Sequence, residues 1–458
     1  MTSASRLWLV LALCIGVRVL VLAIGPASLD DKVVQAIPDG NEYRTLARNL
    51  ARHAAFSLSA EPPFRPDVLR TPVYPLFLAP FFEFGPNPLI VVVVAQLLLS
   101  ALLVWLLFRL GLELALGPST ALTAALLCAL SLNLSFLATK LVTETLFTLL
   151  LTACILLVNR FRRFQRVRDL AAAGACCGLL VLTRPIALAF PLLLLGYVLF
   201  LLRRAPRLWP RALVLPACAL LVVLPWVLRN GVRTGRYVVS TAGEHNLVLY
   251  NAATIISAER GISLVEARDL MRDEAVAESG PLDTLDMARY WERLAPVAWR
   301  HVFARPLTAL KLQVVGFLSS LAMPLSFRPL LVHSGVPEIG SQYTGQKAGA
   351  LLSQGRLLAA LRALWDARIS RLGASGITLL ALAALFHLLL LIAAAVGLFA
   401  KSGRSLLWLL LPVAYFLVLT GALGDARFRA PVEPFLCLFA AVGLTRAQAQ
   451  AQAQAGRH

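Results

Sequence analysis

Apolar residues along this chain come in long blocks separated by short polar knots, not in the alternation of half-buried strands. Crossing a hydrocarbon layer of about 30 Å takes about 20 apolar residues. Blocks near that length lie at 7–25, 87–108, 119–137, 141–158, 170–202, 212–228, 308–325, 376–400, 405–421 and 431–445. The block 170–202 has room for two short passes, so the pattern predicts an all-α polytopic membrane protein with about 11 transmembrane helices, within 10–13. The first block, LWLVLALCIGVRVLVLAIG, is long for the apolar core of a cleaved signal and reads as a retained anchor.

Charge orients these spans. The chain is 59% apolar and 15% charged, yet its formal net charge is +19. The stretch NRFRRFQRVRD (159–169) holds five Arg and one Asp, and RRAPRLWPR (203–211) holds four Arg and no acid. Short Arg-rich loops stay on the cytoplasmic side. That choice makes 26–86 a first exported loop and 229–307 a large one. Beyond 307 the parity is open. The stretch 308–328 gives one pass, KSGR (401–404) favours the cytoplasm, and 329–375, a second large loop, offers no further pass. Either the Pro324 and Pro329 region turns back within the membrane or one span is misassigned. A single domain over 1–445 is expected, followed by a mobile, low-complexity cytoplasmic tail at 446–458.

Several function classes fall away. Neither G-x-G-x-x-G nor G-x-x-x-x-G-K-[ST] occurs, so no nucleotide-binding domain is visible, and H-E-x-x-H is absent. The basic residues flank spans and do not mark a nucleic-acid surface. The seven Cys lie in or beside apolar runs with no C-x-x-C pair, which suits buried apolar packing better than a disulfide or zinc framework.

The exported side collects the chemistry. In EYRTLARNLARHAAF, Tyr43, Leu46, Ala47, Leu50 and Ala54 recur at helical spacing, with Arg44, Arg48 and Arg52 on another face. An amphipathic helix lying on the membrane surface is expected there, with Asp39 at its N-cap. Pro62, Pro63, Pro66, Pro72 and Pro75 then force turns. Topology adds Glu42, Arg70, Lys140, Glu144, Arg184, Arg229, Asn230, Arg233, Arg427 and Arg429 to the same face. Ionisable groups at such depth are costly unless paired or wet, which makes each a functional candidate.

The ordered set D-G-N-E-Y-x-x-L-A-x-N-L, R-T-P-V-Y-P-L-F-L-A, V-T-E-T-L-F, L-T-R-P, P-W-V-L-R-N and R-F-R-A-P-V-E-P resembles bacterial members of the GT-C glycosyltransferase superfamily. The likeness is to protein O-mannosyltransferase-like (family 39) and lipid A aminoarabinose transferase-like enzymes, over about residues 5–445. It implies the GT-C fold and a bacterial inner-membrane enzyme with its active site facing the periplasm. Such an enzyme moves a sugar, with inversion, from a polyprenyl-phosphate donor, undecaprenyl phosphate in bacteria, to a hydroxyl of a lipid, glycan or protein. Asp39 matches the acid that activates the acceptor. Glu42, Tyr43, Arg70, Tyr74, Glu144, Arg184, Arg229, Asn230, Arg427 and Arg429 are the candidate substrate and lipid-phosphate contacts. No metal or other cofactor is implied.

Plainer readings stand beside these. Asp39 as an N-cap alone would contribute about 0.5–2 kcal/mol, and Asp30 and Asp31 are nearby rivals for the base. Glu42 would balance Arg44 or Arg48, Glu144 would meet a helix dipole, and Arg70 and Arg184 would anchor at headgroups. Arg18 suits packing against another helix. His53, His245, His301, His333 and His387 show no ligand spacing. A transporter or flippase of a lipid-linked sugar is the alternative function, although no inverted repeat is visible. Specificity for sugar and acceptor is expected in 229–307 and 329–375.

Overall fold

A computed structural model describes residues 3–24, 38–83, 88–282, 286–326, 351–352, 354–370 and 372–455. Asp30, Asp31, Pro329, His333 and the first half of the expected second loop lie outside the described residues. All regular structure among the described residues is helical. In chain order the principal helices are α1 (Ser3–Ile24), α2 (Pro38–His53), α3 (Val73–Leu78), α4 (Pro88–Glu113), α5 (Pro118–Leu130), α6 (Leu132–Ala138) and α7 (Glu144–Phe164). There follow α8 (Val167–Thr183), α9 (Phe190–Leu201), α10 (Val214–Thr234), α11 (Ala253–Arg260), α12 (Leu264–Ser279) and α13 (Met287–Ala304). The last are α14 (Pro306–Ala322), α15 (Leu357–Leu364), α16 (Ala374–Leu398), α17 (Leu410–Val418), α18 (Ala426–Arg429) and α19 (Glu433–Ala455).

Six helical stretches among the described residues are long and apolar enough to cross a membrane: Ser5–Ala23, Pro88–Glu113, Glu144–Phe164, Pro206–Thr234, Ala374–Leu398 and Ala426–Arg446. Two bent pairs bring the number to eight: α5 with α6 at 56° and α13 with α14 at 96°. Three shorter apolar stretches, Val73–Phe82, Pro185–Leu201 and Gly403–Val418, complete the set. The sequence blocks therefore overstate the unbroken spans, and local chemistry explains why. The block 119–137 breaks at Ser131, whose hydroxyl caps α6 by accepting from the Leu134 N–H at 3.1 Å. The block 170–202 divides at Arg184–Pro185, and the block 405–421 opens as 3-10 helix over Lys401–Leu409. Through the low-complexity stretch, α19 continues as helix to Ala455, as alternating Ala and Gln permit.

The break after α5 frees carbonyls of its last turn, and Arg18 of α1 answers it. Its Nη1 donates to the Ala129 carbonyl at 2.8 Å and its Nε to Ser100 Oγ at 2.6 Å, with no exposure left. Close helix packing rests on small residues. A Cβ at Gly174 would stand 2.3 Å from the Leu215 carbonyl oxygen, and one at Gly178 2.6 Å from Val222 Cβ, so α10 can lie against α8 only where both are glycine. One large core joins α1, α4–α10, α16, α17 and α19. A separate apolar cluster over Leu247–Ala298 builds the helical body of the expected large loop.

Chain direction sorts the connections. The links around 38–72, 139–143, 184–189, 235–304 and 424–429 gather at one end of the bundle, tied by Thr71 Oγ1 to the Thr183 carbonyl (3.0 Å) and the Thr241 N–H to the Val68 carbonyl (2.9 Å). Both Arg-rich loops, ending α7 and α9, lie at the opposite end.

Candidate active site

Asp39 falls in the first turn of α2, one residue inside it, and not at the cap. A carboxylate there still meets the positive end of the helix dipole. The apolar face of α2 is turned inward, which corrects the expectation of a helix resting on lipid. Tyr43 and Ala47 pack with Tyr74, Leu78 and Phe82, and Leu46 has no exposure. The chain then leaves α2 as an irregular loop pinned by Asn49, whose Nδ2 donates to the carbonyls of Ser57 (2.7 Å) and Ser59 (2.9 Å). At its far side the Asp67 carboxylate accepts the Arg70 N–H at 2.9 Å, which orients Arg70 toward the head of α2. Burial pushes the Asp67 carboxyl up to about 6.

A chain of ion pairs then links five segments. Arg70 Nε binds Glu42 Oε2 at 2.5 Å and Arg70 Nη2 binds Asp39 Oδ1 at 2.6 Å. The other Asp39 oxygen, Oδ2, meets Arg427 Nη1 at 2.6 Å. Arg427 Nε in turn binds Glu144, as does Arg184 Nη1 at 2.6 Å. Three carboxylates and three guanidinium groups thus form one network. Glu144 is its floor at 1% exposure, while Asp39 and Arg70 keep 19% each. Glu144 Oε2 is buried with no hydrogen-bond partner, an open acceptor beneath the network. Tyr43 walls one side, edge-on to Tyr74 at 5.0 Å and beneath the Arg70 guanidinium at 5.2 Å. Burial raises the Tyr43 phenol above its ordinary value, which keeps it a proton donor.

Five of the expected contacts, Glu42, Arg70, Glu144, Arg184 and Arg427, therefore assemble around Asp39, with Tyr43 beside them. Four others serve elsewhere. Tyr74 is fully buried and donates to Gln96 Oε1 at 2.8 Å, while Gln96 Nε2 donates to the carbonyls of Ala138 (3.1 Å) and Lys140 (2.9 Å). That pair steadies the turn leading into Glu144. Arg229 stacks on Trp226 (4.8 Å) and Phe56 (5.4 Å) and donates to the carbonyls of Asp67 (2.8 Å) and Phe56 (3.2 Å), bracing the first loop. Asn230 donates to the Val238 carbonyl at 2.9 Å. Arg429, with no exposure, spends its donors on Glu433 and on the carbonyls of Ser320, Leu321, Met323 and Pro324.

Glu433 also accepts from Ser131 Oγ, and from Asn133 Nδ2 at 2.9 Å, while Asn133 holds the Ala426 carbonyl at 3.2 Å. This second, buried network fixes α18 and so the direction of Arg427. The described histidines pair locally: His53 stacks on Phe64, His245 stands edge-on to Trp291, His301 meets Glu274, and His387 meets the Leu321 carbonyl. Among the described residues no three His, Cys, Asp or Glu side chains gather as a metal site.

Gln96 and Asp67 are the participants that sequence reasoning missed as site residues. Gln96 had a signal, a lone amide in the apolar run PLIVVVVAQLLL. Lys140 is 3% exposed and its Nζ has no partner, and burial lowers it to about 8.

Residues 69–228 match the family model described as dolichyl-phosphate-mannose-protein mannosyltransferase. The matched segment holds Arg70, Tyr74, Glu144 and Arg184, and stops one residue short of Arg229. No curated protein matches the chain. Among solved structures, an archaeal oligosaccharyltransferase, AglB from Archaeoglobus fulgidus with an inhibitory peptide and a dolichol-phosphate, aligns at 14% identity and TM-score 0.46. That alignment covers 98% of this chain and 51% of the other, so the chain spans about half the length of that protein. Arabinosyltransferase EmbB from Mycobacterium smegmatis aligns at 14% identity and TM-score 0.33, over 79% of this chain and 40% of the other. The chain is thus a helical protein with several apolar helices of membrane-spanning length that is similar, over residues 69–228, to the mannosyltransferase family model.

Proposed function

We propose that this protein transfers a sugar from a polyprenyl-phosphate donor, of the undecaprenyl type, to an acceptor hydroxyl at the periplasmic face of a bacterial inner membrane. The observation that carries the reading is the pairing of both Asp39 oxygens with guanidinium groups from distant segments, Arg70 and Arg427, at a partly open position. A carboxylate so placed can take the proton of an incoming hydroxyl as its oxygen bonds to the anomeric carbon. The bond from that carbon to the phosphate oxygen breaks at the same time, and displacement from the opposite face inverts the centre. The leaving polyprenyl phosphate needs cations, and Arg427 and Arg70 present planar forks suited to its oxygens. As they turn toward phosphate they release Asp39, so donor binding uncovers the base. Glu144 holds Arg427 and Arg184 in place and offers Oε2 to a sugar hydroxyl. Guanidinium groups supply the positive charge in this scheme, without a metal.

The test is transfer by detergent-purified protein from radiolabelled undecaprenyl-phosphate hexoses and pentoses to envelope extract. Asp39→Asn is expected to lower the rate by about 10²–10⁴-fold with donor binding kept. Transfer by the variant at the wild-type rate would remove Asp39 from the reaction.

A further inference from the structure

The end of the bundle opposite Asp39 carries a second concentration of arginine that the transfer chemistry does not use. Arg160, Arg162 and Arg163 close α7, Arg166 and Arg168 open α8, and Arg203, Arg204, Arg207 and Arg211 follow α9. Among the described residues Glu113 pairs only with Arg160, at 3.6 Å, and no carboxylate pairs with Arg162, Arg163, Arg166 or Arg203. These arginines lean over aromatic rings at the ends of the spans. Arg163 and Arg166 lie 5.2 and 5.0 Å from the centre of the Phe164 ring, and Arg203 lies 4.1 Å from that of Phe200. Both rings are exposed, at 43% and 57%. An apolar ring beneath a cation at a span end is the arrangement of the headgroup level of a bilayer.

Within this rim three elements form a seat. Trp408 stacks on Tyr197 of α9, centres 5.2 Å apart and planes within 5°, and the Arg162 guanidinium lies 5.5 Å from the Trp408 ring centre. Trp408 Nε1 is buried and donates to nothing. A buried N–H without an acceptor is costly, and a half-buried guanidinium beside it selects an anion as the missing acceptor. We infer that Arg162, Tyr197 and Trp408 bind the headgroup of an anionic phospholipid. One phosphate oxygen accepts from Trp408 Nε1 and another from Arg162, while Arg163, Arg166 and Arg203 hold the surrounding anionic surface. The flanking Phe164 and Phe200 and the adjoining spans favour a lipid over a soluble phosphate, since acyl chains would continue along the same apolar surface.

Native mass spectrometry of the full chain tests this with dioleoylphosphatidylglycerol, dioleoylphosphatidylcholine and inorganic phosphate as separate additives. The phosphatidylglycerol adduct is expected to survive activation while the phosphatidylcholine adduct is stripped, and millimolar phosphate should not displace it. Arg162→Gln should cut the retained adduct about fivefold. Trp408→Phe, which keeps the ring and removes the N–H, should also cut it, in protein that elutes as wild type on size exclusion. Equal retention of the two lipids, displacement by phosphate, or an unchanged adduct in both variants would overturn the assignment.

Discussion

Asp67 and the two arginines of R-F-R show how much turns on single residues. The Asp67 carboxyl titrates near 6 in the fold against an ordinary 3.8. The folded form therefore holds the proton more tightly, and stability of the first loop falls as pH rises from about 4 to 6, by on the order of 3 kcal/mol. Hydrogen exchange of residues 55–72, corrected for intrinsic rate, should report tighter protection at pH 5 than at pH 7. Asp67→Asn should flatten that difference, and a variant that keeps the full pH dependence would assign it to another group. Asp39, Glu42, Glu144 and Arg184 were legible in the sequence because polar residues in such surroundings have few other uses. Arg427 and Arg429 were not separable. Two residues apart on one short helix they point to opposite sides, one to Asp39 and one to Glu433, and only the fold says which is which.

At the scale of elements, the apolar blocks located most helices but not where they break. Ser131 and Pro185 are unremarkable letters in long apolar runs, and their effect depends on partners such as Arg18 far away in the chain. The orientation of α2 was misread for a related reason. Amphipathicity shows that a helix has an apolar face, not whether protein or lipid covers it, and here Tyr74, Leu78 and Phe82 do. The contact of α8 with α10 is equally invisible to hydropathy, because glycine counts there as a neutral residue. Gly174→Leu should push α10 away from the Leu215 carbonyl and destabilise the protein by about 1–3 kcal/mol or more. The check is the melting temperature of the detergent-purified variant beside Gly196→Leu, where a Cβ meets nothing within 4 Å. Equal melting temperatures for the two would discount the close approach.

For the whole molecule, charge asymmetry gave the organisation before any coordinates did. The acidic and mixed loops converge at one end and the two Arg-rich loops lie at the other, as counting Arg in short loops anticipates. What the count could not supply is the convergence itself, since Asp39 and Arg427 meet across nearly the full length of the chain. Sidedness is testable in intact cells. A membrane-impermeant maleimide should label Ala60→Cys in the first loop, and Gln165→Cys between α7 and α8 only after permeabilisation. The reverse pattern would turn the whole assignment over.

The length of α7 has one more consequence. Its 21 residues rise about 31 Å at 1.5 Å each, close to the thickness of a bilayer's hydrocarbon layer. Glu144 is the first of them, so the carboxylate–arginine network sits at the depth where acyl chains end and phosphates begin. The lipid-borne donor proposed above would carry its phosphate at that height and arrive by sliding sideways.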